Sequence, residues 1–164
     1  MERLWAPWRM EYMENSKPEG CILCIQADNL HDRERLILYR SKFSLVMLNR
    51  YPYTNGHLMT APLRHTADID SLTDEEMLDL FKILKMSRNI LHKEISPHGY
   101  NVGMNIGRAA GAGIDDHLHI HLVPRWSGDT NFMSVIPDLR VIPEILLTTY
   151  DRLLPEFAAA GKVE

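Results

Sequence analysis

His117-Leu118-His119-Ile120-His121-Leu122-Val123-Pro124 sets both the fold and the chemistry expected of this chain. In a strand, successive side chains point to opposite faces. Leu118, Ile120 and Leu122 therefore predict one apolar face for a core, and His117, His119 and His121 line the other. Packing gives no reason for three imidazoles on one face. Just upstream, Tyr100–106 reads as another strand. Gly107-Arg-Ala-Ala-Gly-Ala-Gly113 follows as a loop whose backbone N–H groups can approach an anion, with Asn105, Gly111 and Gly113 as candidate contacts. Phosphate groups beside a row of histidines point to phosphoryl or nucleotidyl transfer. The rival is a metal centre, because His-x-His on a strand can supply two zinc ligands.

Further out, the pattern predicts strands over 36–39, 43–48 and 57–63, with a turn-rich loop from Arg50 to Gly56. Thr73-Asp-Glu-Glu76 is a capping box, opening a helix that should run to about Ile95, before Pro97. Pro143 should open a last helix carrying Ile145, Leu146, Leu153 and Leu154, with Pro155 ending or kinking it. Pro124 should end the histidine strand. Several strands follow one another without crossover helices, so the fold class is α+β, a mainly antiparallel sheet with a long helix and a C-terminal helix to one side.

The chain has 164 residues, suiting one domain, with 45% hydrophobic and 24% charged residues. A net charge of -4 provides no broad basic field for nucleic acid. Residues 1–10 do not form a secretory leader, and no apolar run is long enough for a membrane span. The first twenty residues read as an arm with aromatic anchors, Trp5, Trp8 and Tyr12. The two cysteines, Cys21 and Cys24, are spaced as half a metal site or a redox pair, and cytoplasm is the default compartment. His31, His92 and His98 read as surface or helix-end residues.

The stretch His117 to Val123 resembles the mark of the histidine-triad (HIT) superfamily, alternating histidines and apolar residues. Asn49-Arg-Tyr-Pro-Tyr-Thr-Asn-Gly-His57 looks like that family's ribose-side strand and loop, and Tyr100-Asn-Val-Gly-Met-Asn105 like its next active-site strand. The arm and the segment Pro124-Arg-Trp-Ser-Gly-Asp-Thr-Asn-Phe132 resemble the prokaryotic branch similar to Fhit and diadenosine tetraphosphate phosphorylases. The resemblance implies one HIT domain over 1–164: an arm at 1–20, a core at 21–125 and an extension at 126–164. It implies that His119 is a nucleophile forming a nucleotidyl-histidine intermediate, with His121 on the α-phosphate and leaving-group side and His57 supporting both. Asn105 is then expected at the phosphate or leaving group and Asn49 near the ribose; no metal is required for that step. Arg108 and Arg125 are further candidate phosphate contacts. The chain departs from the commoner pattern at Gly113 and Ile114, where many members carry glutamine and then serine or threonine.

By the same resemblance, His65 and His117 complete Cys21 and Cys24 as a structural zinc site, one ion per chain. The expected activity is hydrolysis or transfer at the α-phosphate of a dinucleoside polyphosphate or related nucleotide, with phosphorolysis as an option. A zinc-dependent hydrolase using the three histidines, and a nucleotide-binding signalling module with slow turnover, are the alternatives. A homodimer is expected, since Ile83, Met86 and Ile90 extend the apolar surface of the long helix beyond one stripe. The other partner is a small-molecule nucleotide.

Overall fold

The computed structural model describes residues 20–24, 30–111, 113–129, 142 and 144–162. The aromatic arm and Pro143 lie outside the described residues. A four-residue helix, α1 (Asp32–Arg35), leads into strands β1 (Ile37–Arg40), β2 (Ser44–Leu48) and β3 (Leu58–Pro62). Helix α2 (Asp74–Ile95), strands β4 (Gly99–Gly103) and β5 (Ile120–Arg125), and helix α3 (Leu146–Ala160) follow. The strands form one sheet in the order β1-β2-β3-β5-β4, every neighbouring pair antiparallel. The expected α+β architecture is therefore the one observed.

The sheet is covered on both faces, and for that reason β2 and β3 are buried at every position. On one face Val46, Leu48, Leu58, Ile120 and Leu122 meet Leu80, Ile83, Leu84 and Leu91 of α2 and Tyr150, Leu153 and Phe157 of α3. On the other, Ile37, Leu45, Met47, Met59 and Ala61 pack with Leu23, and Cys21 and Ile114 lie at the edge of that cluster. The second face also carries the histidines.

Helix α2 starts where the sequence places it. The Thr73 hydroxyl accepts the Glu76 N–H at 3.2 Å, and the Glu76 carboxylate accepts the Thr73 N–H at 2.8 Å. Arg64 clamps the same carboxylate with bonds of 2.8 and 2.9 Å. Arg64 first, then the Thr73 N–H, pulls the Glu76 carboxyl down to about 2.

Three expectations need correcting. Ile83 and Ile90 are buried against the chain's own core and Met86 packs beside them, because α3 and the sheet cover that side of α2. The apolar residues that α2 does expose are Leu78 and Phe81. Pro124 does not end its strand. Pairing of β5 with β3 stops at Leu58↔Leu122, so β5 has a neighbour on only one side by Pro124, and a residue without an N–H fits there. Pro155 sits inside α3, which continues to Ala160.

Candidate active site

Strand β5 sets the histidines against their neighbours. Met59 of β3 and Gly103 of β4 both lie opposite His121. Regular pairing ends at Gly103, two residues before Asn105. Gly103 has no side chain, and a Cβ there would meet nothing within 4 Å, so the floor beside His121 is open.

The three histidines do not act as a row. Regular pairing begins only at Ile120. Before it, the Leu118 N–H bonds the Thr66 carbonyl at 2.7 Å and draws residues 117–119 toward the end of β3. The His117 Nε2–H donates to the Pro62 carbonyl at 2.8 Å, which turns Nδ1 toward the cysteines. The His119 Nδ1–H donates to the carbonyl of His117 at 2.9 Å. In the neutral ring, Nε2 of His119 is then the nitrogen that keeps its lone pair. His121 stands edge-on to His119, ring centroids 4.8 Å apart. Its Nδ1 is 3.0 Å from Nε2 of the fully buried His57. Burial, reinforced by His119, lowers the His121 imidazole to about 4, so it is neutral near pH 7. Tyr53 covers this pair, its ring centroid 4.7 Å from His57 and 6.1 Å from His121. No periodicity in the turn-rich 50–56 segment pointed to Tyr53.

Asn49 is also on this face. Its amide nitrogen lies 3.4 Å from His57 Nδ1, and its amide oxygen accepts the Tyr51 N–H at 2.9 Å. Gly107 and Gly111 take left-handed φ values of 80° and 81° around a short 3-10 turn, as a glycine loop should. The amides of Ala110 and Gly111 are used inside that turn, on the carbonyls of Gly107 and Arg108. Gly113 is exposed, and Ile114 packs beneath the second core cluster. Of the candidate phosphate arginines, Arg108 pairs with Asp115, and Arg125 with Asp129 and Asn101.

A second cluster lies beside the first. Ligand atoms of Cys21, Cys24, His65 and His117 all fall within 4.8 Å of one another. Cys21 Sγ is 3.3 Å and Cys24 Sγ 3.7 Å from His117 Nδ1, and Cys24 Sγ is 3.2 Å from His65 Nδ1. A tetrahedral zinc with ordinary bond lengths needs ligand separations of about 3.3–3.8 Å. The other His117 nitrogen is held by a carbonyl, the usual support for a metal-binding imidazole. Burial, then the adjacent Cys21, pushes the Cys24 thiol above its ordinary value, a cost that a divalent cation would offset. The donor set therefore fits the expected zinc. Among the described residues this is the one such group, and it takes His117 away from His119 and His121. A zinc centre built from all three histidines does not match this geometry.

Residues 31–128 match the family model described as the HIT domain. The chain is 37% identical over 166 residues to AP-4-A phosphorylase of Mycobacterium tuberculosis, an alignment covering 96% of this chain and 85% of that protein. It is 31% identical over 93 residues to the asymmetrical bis(5'-nucleosyl)-tetraphosphatase of Schizosaccharomyces pombe, covering 57% and 50% of the two chains. Among solved structures, the nitrilase–Fhit fusion protein of Caenorhabditis elegans superposes with a TM-score of 0.60 at 27% identity, over 74% of this chain and 26% of that one. A zinc-bound histidine triad family protein from Mycobacterium smegmatis shares the fold, with a TM-score of 0.63 at 24% identity over 79% and 88% of the chains.

Proposed function

Because this chain belongs to the HIT domain family, we propose that it cleaves dinucleoside polyphosphates at the α-phosphate through a covalent intermediate on His119. The observation that carries this reading is the 2.9 Å bond from His119 Nδ1–H to the His117 carbonyl, which leaves the Nε2 lone pair available for attack. Nε2 forms a bond to the α-phosphorus, and the bond from that phosphorus to the bridging oxygen breaks. The remaining nucleotide leaves as a polyphosphate anion. An acceptor oxygen then displaces the histidine and restores its lone pair, so one hard displacement becomes two easier ones. His121, neutral and beside His119, donates a hydrogen bond to the transferring group, and His57 supports it. We assign Asn105, Gly111 and Gly113 to the phosphate side, although the Gly111 N–H is already bonded to the Arg108 carbonyl within its turn.

Likeness to a phosphorylase over nearly the whole chain favours inorganic phosphate as acceptor. Purified protein given diadenosine tetraphosphate tests this directly. With phosphate, phosphorolysis yields ADP and ATP; hydrolysis yields AMP and ATP. Absence of any cleavage would sink the reading.

Zinc on Cys21, Cys24, His65 and His117 belongs to the same reading, supported by the donor set and its spacing. Bound there, the metal would neutralise the two thiolates and cross-link the Cys21–Cys24 turn, the end of β3 and the approach to β5. His117 then has two tasks, its ring held at the metal and its carbonyl fixing the nucleophile. The chain is read as a single domain, since α3 shares its core with the family segment. Pairing of two copies is read through exposed apolar residues, Val102 of the edge strand β4 and Leu78 and Phe81 of α2. Cys21 and Cys24 read as zinc ligands rather than as a disulfide suit the cytoplasm. No described helix is long and apolar enough to cross a membrane.

A further inference from the structure

We infer that Cys21 and Cys24 are also an oxidation site that governs the nucleophile: a peroxide joins them as a disulfide, the zinc assigned to them is released, and the stretch that fixes His119 loosens. The inference rests on the zinc ligands and the role of His119 given above, but two of its readouts need no nucleotide.

The two sulfurs are placed to meet. The Cys24 N–H donates to the Cys21 carbonyl at 3.1 Å, closing a turn. Such a turn holds its end Cα atoms within about 7 Å, and a disulfide spans about 4.4–6.8 Å. Both sulfurs already converge on one atom, His117 Nδ1, from 3.3 and 3.7 Å. The cysteines are half-buried and His65 is exposed, so a small oxidant can reach them. One thiolate attacks a peroxide oxygen, the O–O bond breaks, one hydroxide departs and a sulfenic acid remains. The second thiolate attacks that sulfur and displaces another hydroxide. An S–S bond has then formed, each sulfur has lost one electron, and the peroxide has taken both and left as hydroxide. A disulfide supplies no thiolate, so two of the four donors are gone.

Loss of the ion reaches His119 through the chain. Residues 117–119 precede the paired part of β5. The bond from the Leu118 N–H to the Thr66 carbonyl, at 2.7 Å, draws them toward β3. Each end of that bond adjoins a zinc ligand, His65 beside Thr66 and His117 beside Leu118. The ligand set thus clamps the bond from both sides. The His117 carbonyl accepts the His119 Nδ1–H at 2.9 Å, so the same clamp sets which His119 nitrogen keeps its lone pair. Without the ion, the His117 ring still has the Pro62 carbonyl, but its cross-link to His65 is gone. Leu23, fully buried, keeps the turn attached, so the change is local and reversible.

The test treats the zinc-loaded chain with equimolar hydrogen peroxide beside a colorimetric zinc chelator. About one zinc per chain should be released. Both thiols should disappear together, with Cys21 and Cys24 linked in the peptide map. In long-range proton–nitrogen NMR, His119 should be protonated at Nδ1 before treatment and be a mixture of tautomers afterwards. For diadenosine tetraphosphate, kcat should fall roughly 10- to 100-fold, the size seen when the support around a metal-site histidine is lost. Dithiothreitol with zinc should restore both the rate and the tautomer. The lower activity of Cys24→Ser, which cannot form the disulfide, should not change with peroxide. Zinc and both thiols retained under peroxide would overturn the inference, as would their loss with the His119 signal unchanged. So would an activity loss with zinc still bound that dithiothreitol does not reverse, the pattern of methionine oxidation. Protein that holds no zinc when purified without chelator would end the zinc reading and this inference together. If the zinc-loaded chain cleaves no dinucleotide, the proposed activity fails, while zinc release and the NMR signal still decide this inference.

Discussion

His119 and His121 are neighbours with opposite assignments. Replacing His119 by Ala removes the attacking lone pair but leaves the sheet intact, because the bond it makes lies before the paired strand, which begins at Ile120. Turnover should fall roughly 10⁴-fold or more, as for loss of a covalent nucleophile. Mass spectrometry of the quenched unmodified enzyme should find a nucleotide on His119 and none on the variant. His121 makes a prediction about stability. It is neutral in the fold down to about pH 4, whereas an unfolded histidine takes its proton near 6.5. Between those values the unfolded chain binds more protons, so the contribution of His121 to stability is intact above the upper value and declines as pH falls toward the lower. Denaturant midpoints from pH 7 to pH 4 should therefore fall less in His121→Asn than in the unmodified chain. The roles of these residues were legible to different degrees. Alternation along 117–123 placed His119 and His121 together, but it also put His117 in the same row. The Leu118 bond to Thr66 that separates it comes from a loop more than fifty residues away, which a local pattern does not contain.

Helix α2 shows how well an element's start can be read from its own residues. Thr73 and Glu76 satisfy each other's backbone N–H groups within one turn, so three residues of spacing are enough to predict the cap. Thr73→Ala should cost about 1 kcal/mol in denaturant unfolding. The Glu76 carboxyl lies near 2 instead of its ordinary 4.5, held there first by Arg64. Its stabilising effect is full above the ordinary value and disappears as pH falls through the lower one, so Glu76→Gln should flatten the acid limb of the stability curve between them. The far end of α2 was harder to foresee. Gly56, at φ +72°, lies against Ile95 and Leu91, and an added Cβ would come within 2.7 Å of Ile95 Cδ1. Gly56→Ala should cost on the order of 1–3 kcal/mol from crowding and left-handed strain together. It should lower activity as well, because Gly56 closes the loop that carries Asn49, Tyr53 and His57. The outward face of α2 was misread for a similar reason. Ile83 and Ile90 look surplus on a helical wheel until α3, from the far end of the chain, covers them.

At the scale of the whole molecule, the Cys2His2 group joins three separated stretches of chain. Protein purified without chelator should contain about one zinc per chain by elemental analysis, as a closed four-ligand site does. Cys21→Ser should lower thermal stability and loosen the Cys21–Cys24 turn while reducing activity far less than His119→Ala, since metal affinity there is folding energy. A disulfide between Cys21 and Cys24 in reduced protein would contradict this. The sheet order has another consequence, for how the molecule is made. Strand β5 is last of the five in the sequence, yet it lies between β3 and β4. On the ribosome, β1 to β3 can form a meander early, but β4 emerges with no neighbour to pair with. Until β5 has been synthesised, the growing chain carries two open edges of the kind that recruit foreign strands. The segment that closes those edges directly follows His119, so a nascent chain fixes the histidine to which we assign the attack only in the step that pairs its two inner edges.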